Sequence, residues 1–223
     1  MNLTLTKVNS EIDDFERVLD CFPPGLQRAT LRYAVELEEI YLDVGRNVVF
    51  RAGSTVNESG LVATMLDIHY IRDKLGGFRS HGRAGLSRTL HRFSGVQDDE
   101  KRLVGLTIRL GRHVFGVAEP LRPYLVSDSL ERQPRILLVG PPGSGKTTLL
   151  RDIVRLLGER YNRQAVAIDT SNEIGGEGSE PHPAVGQARV FKVGDPERQE
   201  AVLNHAIRSH TPAVIMVDEI GYQ

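Results

Sequence analysis

The sequence has little cysteine, almost no net charge and no long apolar run. One cysteine among 223 residues excludes an internal disulfide and a cysteine-based zinc cage, which is typical of a reducing compartment. The formal net charge of -1 excludes a globally basic nucleic-acid coat. No apolar run approaches the roughly 18 residues of a membrane span, and the first residues lack a basic flank followed by an apolar stretch. We therefore expect a cytoplasmic protein without a membrane-spanning helix.

The chain has the composition of an ordinary globular protein, but its charges are unevenly distributed. With 40% hydrophobic and 26% charged residues in 223 positions, it matches one or two ordinary globular domains. Residues 11–43 carry nine acids against three arginines, whereas residues 72–112 carry ten basic residues against four acids. The near-neutral total therefore hides an acidic segment followed by a basic one.

The first half of the sequence predicts a small α+β domain over residues 1–116. Apolar residues spaced by three and four predict a helix from Leu26 to about Glu39, after a proline pair. Two β-prone runs around 45–47 predict a hairpin, and Thr64 predicts the cap of a helix that ends at Gly76. Loose alternation over 103–117 predicts one or two further strands.

The second half changes to alternating strands and helices. A proline-containing linker over 117–134 precedes residues 135–223, which predict an α/β fold, a doubly wound parallel sheet of the P-loop NTPase type. The predicted strands are 135–139, 165–169 and 213–217, and the predicted helices are 146–157 and 196–209.

A phosphate-binding motif lies between the first of these strands and the first helix. Residues 140–147 match G-x-x-x-x-G-K-[ST], the P-loop or Walker A pattern. Its glycines let backbone N–H groups curl around phosphate oxygens at a helix N-terminus. We expect Lys146 to reach the β- and γ-phosphates of ATP and Thr147 to bind Mg²⁺. The predicted phosphate-binding residues are Gly140, Pro141, Pro142, Gly143, Ser144, Gly145, Lys146 and Thr147.

Two carboxylates follow the last predicted strand, as expected of a Walker B motif. We expect Asp218 to hold the Mg²⁺ shell and Glu219 to polarise the attacking water as general base. Catalytic roles therefore fall on Glu219 and Lys146. An adjacent glutamate favours an ATP hydrolase over a small-molecule kinase, the weaker alternative.

A polar loop follows the strand 165–169. Because ligands bind at the carboxyl ends of strands in open α/β sheets, Asp169 and Glu173 are candidate site residues. The alternative is an ordinary surface loop stabilised by side-chain turns.

The runs DTSNEIGGEGSEPHPAVGQARV and PAVIMVDEIG, together with LEEIYLDVGRNVVFRA, resemble the stage III sporulation protein AA family and its cyanobacterial and plastid relatives. The resemblance implies an AAA+ or secretion-type P-loop ATPase that forms a homo-oligomeric, hexameric ring. It extends phosphate binding to Thr148 and makes 169–173 an acidic box beside the γ-phosphate. It also implies an arginine that reaches the phosphates, for which the candidates are Arg92, Arg109 and Arg112; a solvated basic face is the alternative for them.

The resemblance also raises two alternatives. The family continues with two more core strands after the position of Gly221, so the sequence is expected to be truncated after the Walker B motif, which leaves the activity of this chain open. In the other function class, residues 72–112 belong to a non-catalytic module that binds a nucleic acid or a protein. The plastid stroma is the expected compartment if the source is a photosynthetic eukaryote.

Overall fold

The computed structural model describes residues 11–12, 14–34, 37–79, 81–126, 135–141 and 143–219. The chain divides into two compact units. The N-terminal unit contains Ile12–Arg112 together with Glu177–Ser179. The P-loop unit contains Met1–Glu11, His113–Gly176 and Glu180–Gln223. A short segment of the second half of the sequence therefore belongs to the N-terminal unit.

The N-terminal unit is built on a six-stranded antiparallel sheet in the order β4-β3-β2-β7-β6-β5. Each of the two-residue strands β1 and β8 contains a sequence position at which the chain passes from one unit to the other. The strand bounds are β1 Glu11–Ile12, β2 Glu39–Asp43, β3 Asn47–Ala52, β4 Thr55–Val62, β5 Arg83–Ala84, β6 Arg92–Gln97, β7 Leu103–Arg109 and β8 Arg112–His113.

One face of this sheet carries the apolar core. Ile40 pairs with Phe50 on one side and with Ile108 on the other, and Ile108 pairs with Phe93. These four side chains form a fully buried row, because partners across a ladder point to the same face. Each such burial stabilises the unit by roughly 1.5–3 kcal/mol. The helices here are α1 Phe15–Leu19, α2 Pro24–Leu31 and α3 Met65–Leu75.

Helix α3 begins and ends where the sequence predicts. Thr64 accepts a hydrogen bond from the backbone N–H of Asp67, whose carboxylate accepts from the Thr64 N–H. This reciprocal capping box satisfies two otherwise unpaired donors. Gly76, with φ +73°, ends the helix in the left-handed region that glycine tolerates best. The predicted hairpin is also present as β2 and β3.

The helix predicted from Leu26 to about Glu39 is wrong in its second half. Helix α2 ends at Leu31, and Glu39 begins strand β2. Tyr33 leaves the helix to stack on Phe50, with 4.6 Å between ring centroids. Ile40 reaches the core from a strand because β2 pairs with both β3 and β7. Tertiary pairing overrides the helical spacing of these apolar residues.

The P-loop unit contains a three-stranded parallel sheet in the order β10-β9-β11. Its strands are β9 Ala165–Asp169, β10 Arg189–Lys192 and β11 Val214–Val217, and its helices are α4 Arg122–Leu125, α5 Lys146–Tyr161 and α6 Gln199–His210. Short 3₁₀ turns occupy Glu119–Leu121, Asn162–Gln164, Pro183–Val185 and Pro196–Arg198.

Strand β9 is buried on both faces, as expected for the centre of a parallel sheet. Ala165 and Ala167 pack in the apolar cluster that includes α5. Val166 and Ile168 pack in the cluster that includes Ala206 of α6. The alternation of a strand thus places helices on opposite faces of the sheet, which gives the predicted α/β layering.

Two strand predictions differ from the structure. Residues 135–140, predicted to contain a strand over 135–139, adopt no regular strand, and Leu137 and Val139 are 70% and 84% exposed. Strand β10 was not predicted, because its run of Arg, Val, Phe and Lys is short and only partly apolar. Among the helices that the structure describes, none is long and apolar enough to cross a membrane.

Candidate nucleotide-binding site

The P-loop leads directly into helix α5, which begins at Lys146. Gly143 and Gly145 have φ values of +76° and +87°, a conformation that side chains with a Cβ adopt at a cost. A Cβ on Gly140 would lie 2.8 Å from Oγ of Ser144, so the loop closes tightly there. Pro142 lies outside the described residues.

The loop has the chemistry that a phosphate group needs. The Lys146 ammonium donates to the carbonyls of Gly140 and Pro141, at 2.8 Å in each case. The ammonium therefore lies over the loop, at the positive end of the α5 dipole. A cavity of about 610 Å³ is lined by both sides of this loop and by Thr148. These residues fit a phosphate chain.

Thr147 faces an acidic side chain from the loop after β9. Its Oγ1 donates to Oε2 of Glu173 over 2.9 Å, between residues 26 positions apart. A hydroxyl and a carboxylate side by side are oxygen ligands of the type that Mg²⁺ takes alongside phosphate oxygens. The structure thus brings together two of the residues singled out from the sequence.

Asp218 lies at the end of β11 and binds the same loop. Its Oδ2 accepts from the backbone N–H of Thr170, and from the N–H and Oγ of Ser171, all at 2.8 Å. Its Oδ1 accepts from the N–H of Glu219. Asp218, predicted from the sequence to hold the Mg²⁺ shell, anchors the start of the 170–176 loop in the structure.

Asp169 anchors the other part of that loop. Its two oxygens accept from the N–H groups of Ile174 and Gly175, at 3.1 and 2.8 Å. Burial is the main cause that raises the pKa of Asp169 to about 6, with the charge of Asp218 contributing, although the hydrogen bonds from Gly175 and Ile174 act in the opposite direction. Asp169 therefore holds the backbone of the two residues that follow Glu173.

Glu219 is exposed at the carboxyl end of the sheet. Gln199 at the start of α6 donates from Nε2 to Oγ1 of Thr170 and to the backbone oxygen of Glu219. This amide joins the segments that follow β9 and β11. Nothing in the sequence pattern marked Gln199.

Arg151 was also missed. It is 8% exposed and donates from Nε to the carbonyl of Ile174 and from Nη2 to the carbonyl of Glu173. Arg151 lies four residues after Thr147, on the same face of α5. A charged residue on the apolar face of a predicted helix was the available signal.

An apolar groove adjoins the site. It encloses about 650 Å³ between residues 136–138, helix α5 and strand β11, with Lys146, Thr147, Asp218 and Glu219 among its lining residues. Within the described part of the chain, β11 pairs with a strand on one side only, β9. The groove thus runs along the free side of β11.

Three arginines of the basic segment 72–112 form ion pairs with nearby acids. Arg72 pairs with Asp73, and Arg102 pairs with both Asp98 and Glu100. The fold adds a further acid, because Arg109 pairs with Glu39 across the sheet. These pairs give no support to a nucleic-acid surface.

Two of the arginines considered for phosphate contact are engaged within the N-terminal unit. Arg109 binds Glu39 over 2.9 Å, and Arg112 donates to the carbonyl of Leu37 over 3.1 Å. Arg92 lies on β6, opposite Arg109. The structure places Arg92 and Arg109 on neighbouring strands of the six-stranded sheet, whereas Arg112 lies on β8.

The α/β layering and the glycine-rich loop before α5 define a protein with an α/β unit that carries a P-loop motif. Its structure is similar to that of the pilus retraction motor PilT crystallised with bound ADP: the TM-score is 0.55 at 19% identity, over 86% of this chain and 59% of that one. The chain belongs to the family described as sporulation stage III, protein AA, whose model matches residues 96–223.

Two curated relatives agree with this assignment. The stage III sporulation protein AA of Bacillus subtilis is 32% identical over 210 residues, which cover 84% of this chain. The Arabidopsis thaliana protein SEEDLING PLASTID DEVELOPMENT 1 is 38% identical over 215 residues, which cover 95% of this chain. The alignments span 66% of the bacterial relative and 30% of the plant relative.

Proposed function

We propose that this chain binds Mg-ATP through its P-loop and hydrolyses it as a subunit of an oligomeric secretion-type ATPase. The observation that carries the proposal is the convergence of Lys146 and Thr147, at the start of α5, with the loop that Asp169 and Asp218 hold at the carboxyl ends of β9 and β11. Parallel α/β sheets bind ligands at this edge.

Each residue then has a distinct task. Lys146 binds the terminal phosphates, and Thr147 with Glu173 offers oxygen ligands to Mg²⁺. The metal ion, when bound, neutralises charge that develops on the phosphate oxygens. Glu219, exposed beside this group, orients and deprotonates the attacking water. Asp218 contributes to the metal shell and keeps residues 170–171 in place.

The domain organisation and the assembly form part of the same proposal. We infer that residues 135–223 form the ATPase part, separated by a linker over 117–134 from an N-terminal domain over 1–116. The PilT motor carries ADP in its crystal structure, and we infer a nucleotide and a ring-forming assembly for this chain as well. The plant relative's name concerns plastid development, so the proposed compartments are the cytoplasm and, in a photosynthetic eukaryote, the plastid stroma.

The parallel sheet is proposed to be larger in the longer relatives. Strand β11 borders the apolar groove on the side away from β9, and Ile136 and Leu137 are 48% and 70% exposed along it. Additional strands at this edge would cover these side chains. We propose that the polypeptide by which the relatives exceed the matched length supplies them.

Thermal unfolding with and without Mg-ATP tests the proposal. A ligand that binds only the folded form stabilises it by roughly 2.7 kcal/mol at about 100 times its Kd. We expect this stabilisation in the natural chain and its loss in Lys146→Ala. The matched control is Lys101→Ala, an exposed lysine of the N-terminal unit, which should keep it. An unfolding transition that ATP leaves unmoved, or that moves equally in Lys146→Ala, contradicts the proposal.

A further inference from the structure

Residues 177–179 pack into the N-terminal unit although both flanking segments belong to the P-loop unit. The backbones approach very closely at two glycines. A Cβ on Gly85 would lie 2.5 Å from the Cβ of Glu177, and a Cβ on Gly178 would lie 2.3 Å from the Cα of Ser87. Real Cβ atoms do not approach other atoms so closely, so each position requires glycine.

Hydrogen bonds hold the segment at both ends. Arg79 donates from Nη2 to the carbonyl of Glu177 over 2.5 Å. The hydroxyls of Ser87 and Ser179 are 2.6 Å apart, and the N–H of Ser179 donates to Oγ of Ser87 over 3.2 Å. Side chain and main chain both take part, so the segment has a defined position.

The Glu177 carboxylate is buried beside two arginines and a histidine. Its side chain is 3% exposed, with Arg79, His81 and Arg83 at 3.9, 3.9 and 3.8 Å. Burying a carboxylate is costly unless opposite charges compensate for the lost water. Arg79 and Arg83 place opposite charge near the carboxylate. We call Glu177, Arg79, His81, Arg83 and the Ser87–Ser179 pair the Glu177 clasp.

The same loop begins at the proposed nucleotide site. Three residues separate Glu173, bound to Thr147, from Glu177. Those three are themselves held: Asp169 accepts from Ile174 and Gly175, and Lys192 donates to the carbonyl of Gly176 over 2.6 Å. Because the connecting segment is so short, we expect a displacement of Glu177 to displace Glu173 as well.

We propose that the Glu177 clasp positions Glu173 on Thr147, so that the Mg²⁺ response of the nucleotide site depends on the clasp residues Arg79, His81, Arg83 and Ser87. Glu177 is a positioning residue: it acts through the backbone of 174–176, and its loss changes the metal response more than nucleotide binding. This inference rests on the proposed function for its Mg²⁺ effect, whereas the backbone connection stands without it.

Hydrogen exchange without nucleotide tests the backbone connection. Glu177→Gln keeps the side-chain shape and removes its charge. We expect faster exchange at 177–179 and also at the N–H groups of Ile174 and Gly175, which Asp169 binds. Glu200→Gln, the same change at an exposed position of α6, should leave both regions unchanged. Acceleration confined to 177–179, or none, overturns the inference.

The Mg²⁺ dependence of ATP binding tests the functional consequence. In Glu177→Gln we expect the Mg²⁺ concentration for half-maximal stabilisation by ATP to rise roughly threefold or more, with the Kd of Mg²⁺-free ATP unchanged. Equal Mg²⁺ requirements in Glu177→Gln and Glu200→Gln overturn the positioning role. If Glu177→Gln does not fold, Ser87→Ala takes its place, because it removes the hydroxyl pair without uncovering a buried charge. A raised Mg²⁺ requirement in Ser87→Ala then supports the positioning role, and a requirement equal to that of Glu200→Gln overturns it.

Failure of the proposed function gives a different result. If the natural chain shows no Mg-ATP stabilisation, the proposed function fails and the Mg²⁺ part of the inference fails with it. The exchange pattern at Ile174 and Gly175 still decides whether the clasp holds the loop.

Discussion

Glu173 accepts a hydrogen bond from Thr147, with 2.9 Å between Oε2 and Oγ1. The contact joins the P-loop helix to the loop after β9. Glu219 stays exposed at the end of β11. The two glutamates therefore allow the two proposed roles, metal binding by Glu173 and water activation by Glu219, to be tested separately.

Glu219→Gln tests the role towards water. The substitution removes the proposed base and retains the size of the side chain. We expect phosphate release from ATP to fall by roughly 100-fold or more, with the thermal stabilisation by Mg-ATP retained. Glu200→Gln is the control for an exposed glutamate. If Glu219→Gln hydrolyses ATP at the natural rate, the general base lies elsewhere, and Glu173 is the next residue to test.

Glu173→Gln tests the role in the metal environment. The amide keeps an acceptor for the Thr147 hydroxyl but removes the negative charge that a cation requires. We expect the Mg²⁺-dependent part of ATP binding to weaken, while Mg²⁺-free ATP binds as it does in the natural chain. Titration of Mg²⁺ at constant ATP measures this difference. An unchanged Mg²⁺ titration would exclude Glu173 as a metal ligand.

Asp169 should titrate near neutral pH. Burial raises its pKa to about 6, above the roughly 3.9 of an unfolded chain. Since the folded state favours the protonated form, the stability from this group is full below pH about 4 and is lost as pH rises to about 6. NMR detection of side-chain carboxyl carbons measures the midpoint, and Asp169→Asn identifies the signal. Asp218→Asn should lower the midpoint, and an Asp169 midpoint near 4 in the natural chain contradicts the burial argument.

Glu39 should stabilise the N-terminal unit through its two arginines. Burial raises the pKa of Glu39, but hydrogen bonds from Tyr41, Arg109 and Arg51 outweigh this and lower it to about 2. We expect Glu39→Gln to cost about 1–3 kcal/mol at neutral pH, because a buried acceptor loses the charge that strengthens its hydrogen bonds from Arg51 and Arg109. Denaturant unfolding of the N-terminal unit measures the cost.

The pH dependence of that cost separates it from a packing effect. A lowered pKa gives stability that is present above pH about 4.3 and is lost as pH falls towards 2. The difference between Glu39→Gln and the natural chain should therefore shrink below pH about 3. Glu58→Gln, an exposed glutamate on β4, is the matched control. A difference that does not vary with pH would assign the effect to packing alone.

Local patterns predicted the elements whose determinants are close together in sequence. Helix α3 has its cap, its apolar positions and its terminal glycine within 13 residues. The hairpin of β2 and β3 has its turn between its strands. Helix α2 shows the limit of such patterns: its apolar spacing continues to Ile40, but the chain beyond Leu31 turns away to pair in the sheet.

The amino-acid order alone is sufficient to predict the P-loop motif, because its glycines, lysine and threonine lie within eight successive residues and a helix is predicted directly after them. The partners of these residues depend on the fold. Asp218 binds Thr170 and Ser171 across 48 and 47 positions, and Arg79 binds Glu177 across 98. No periodicity in the sequence indicates such long-range contacts, since they form only when strand pairing and helix packing bring remote segments together. The tertiary structure therefore decides which carboxylate faces Thr147 and which ones hold the loop.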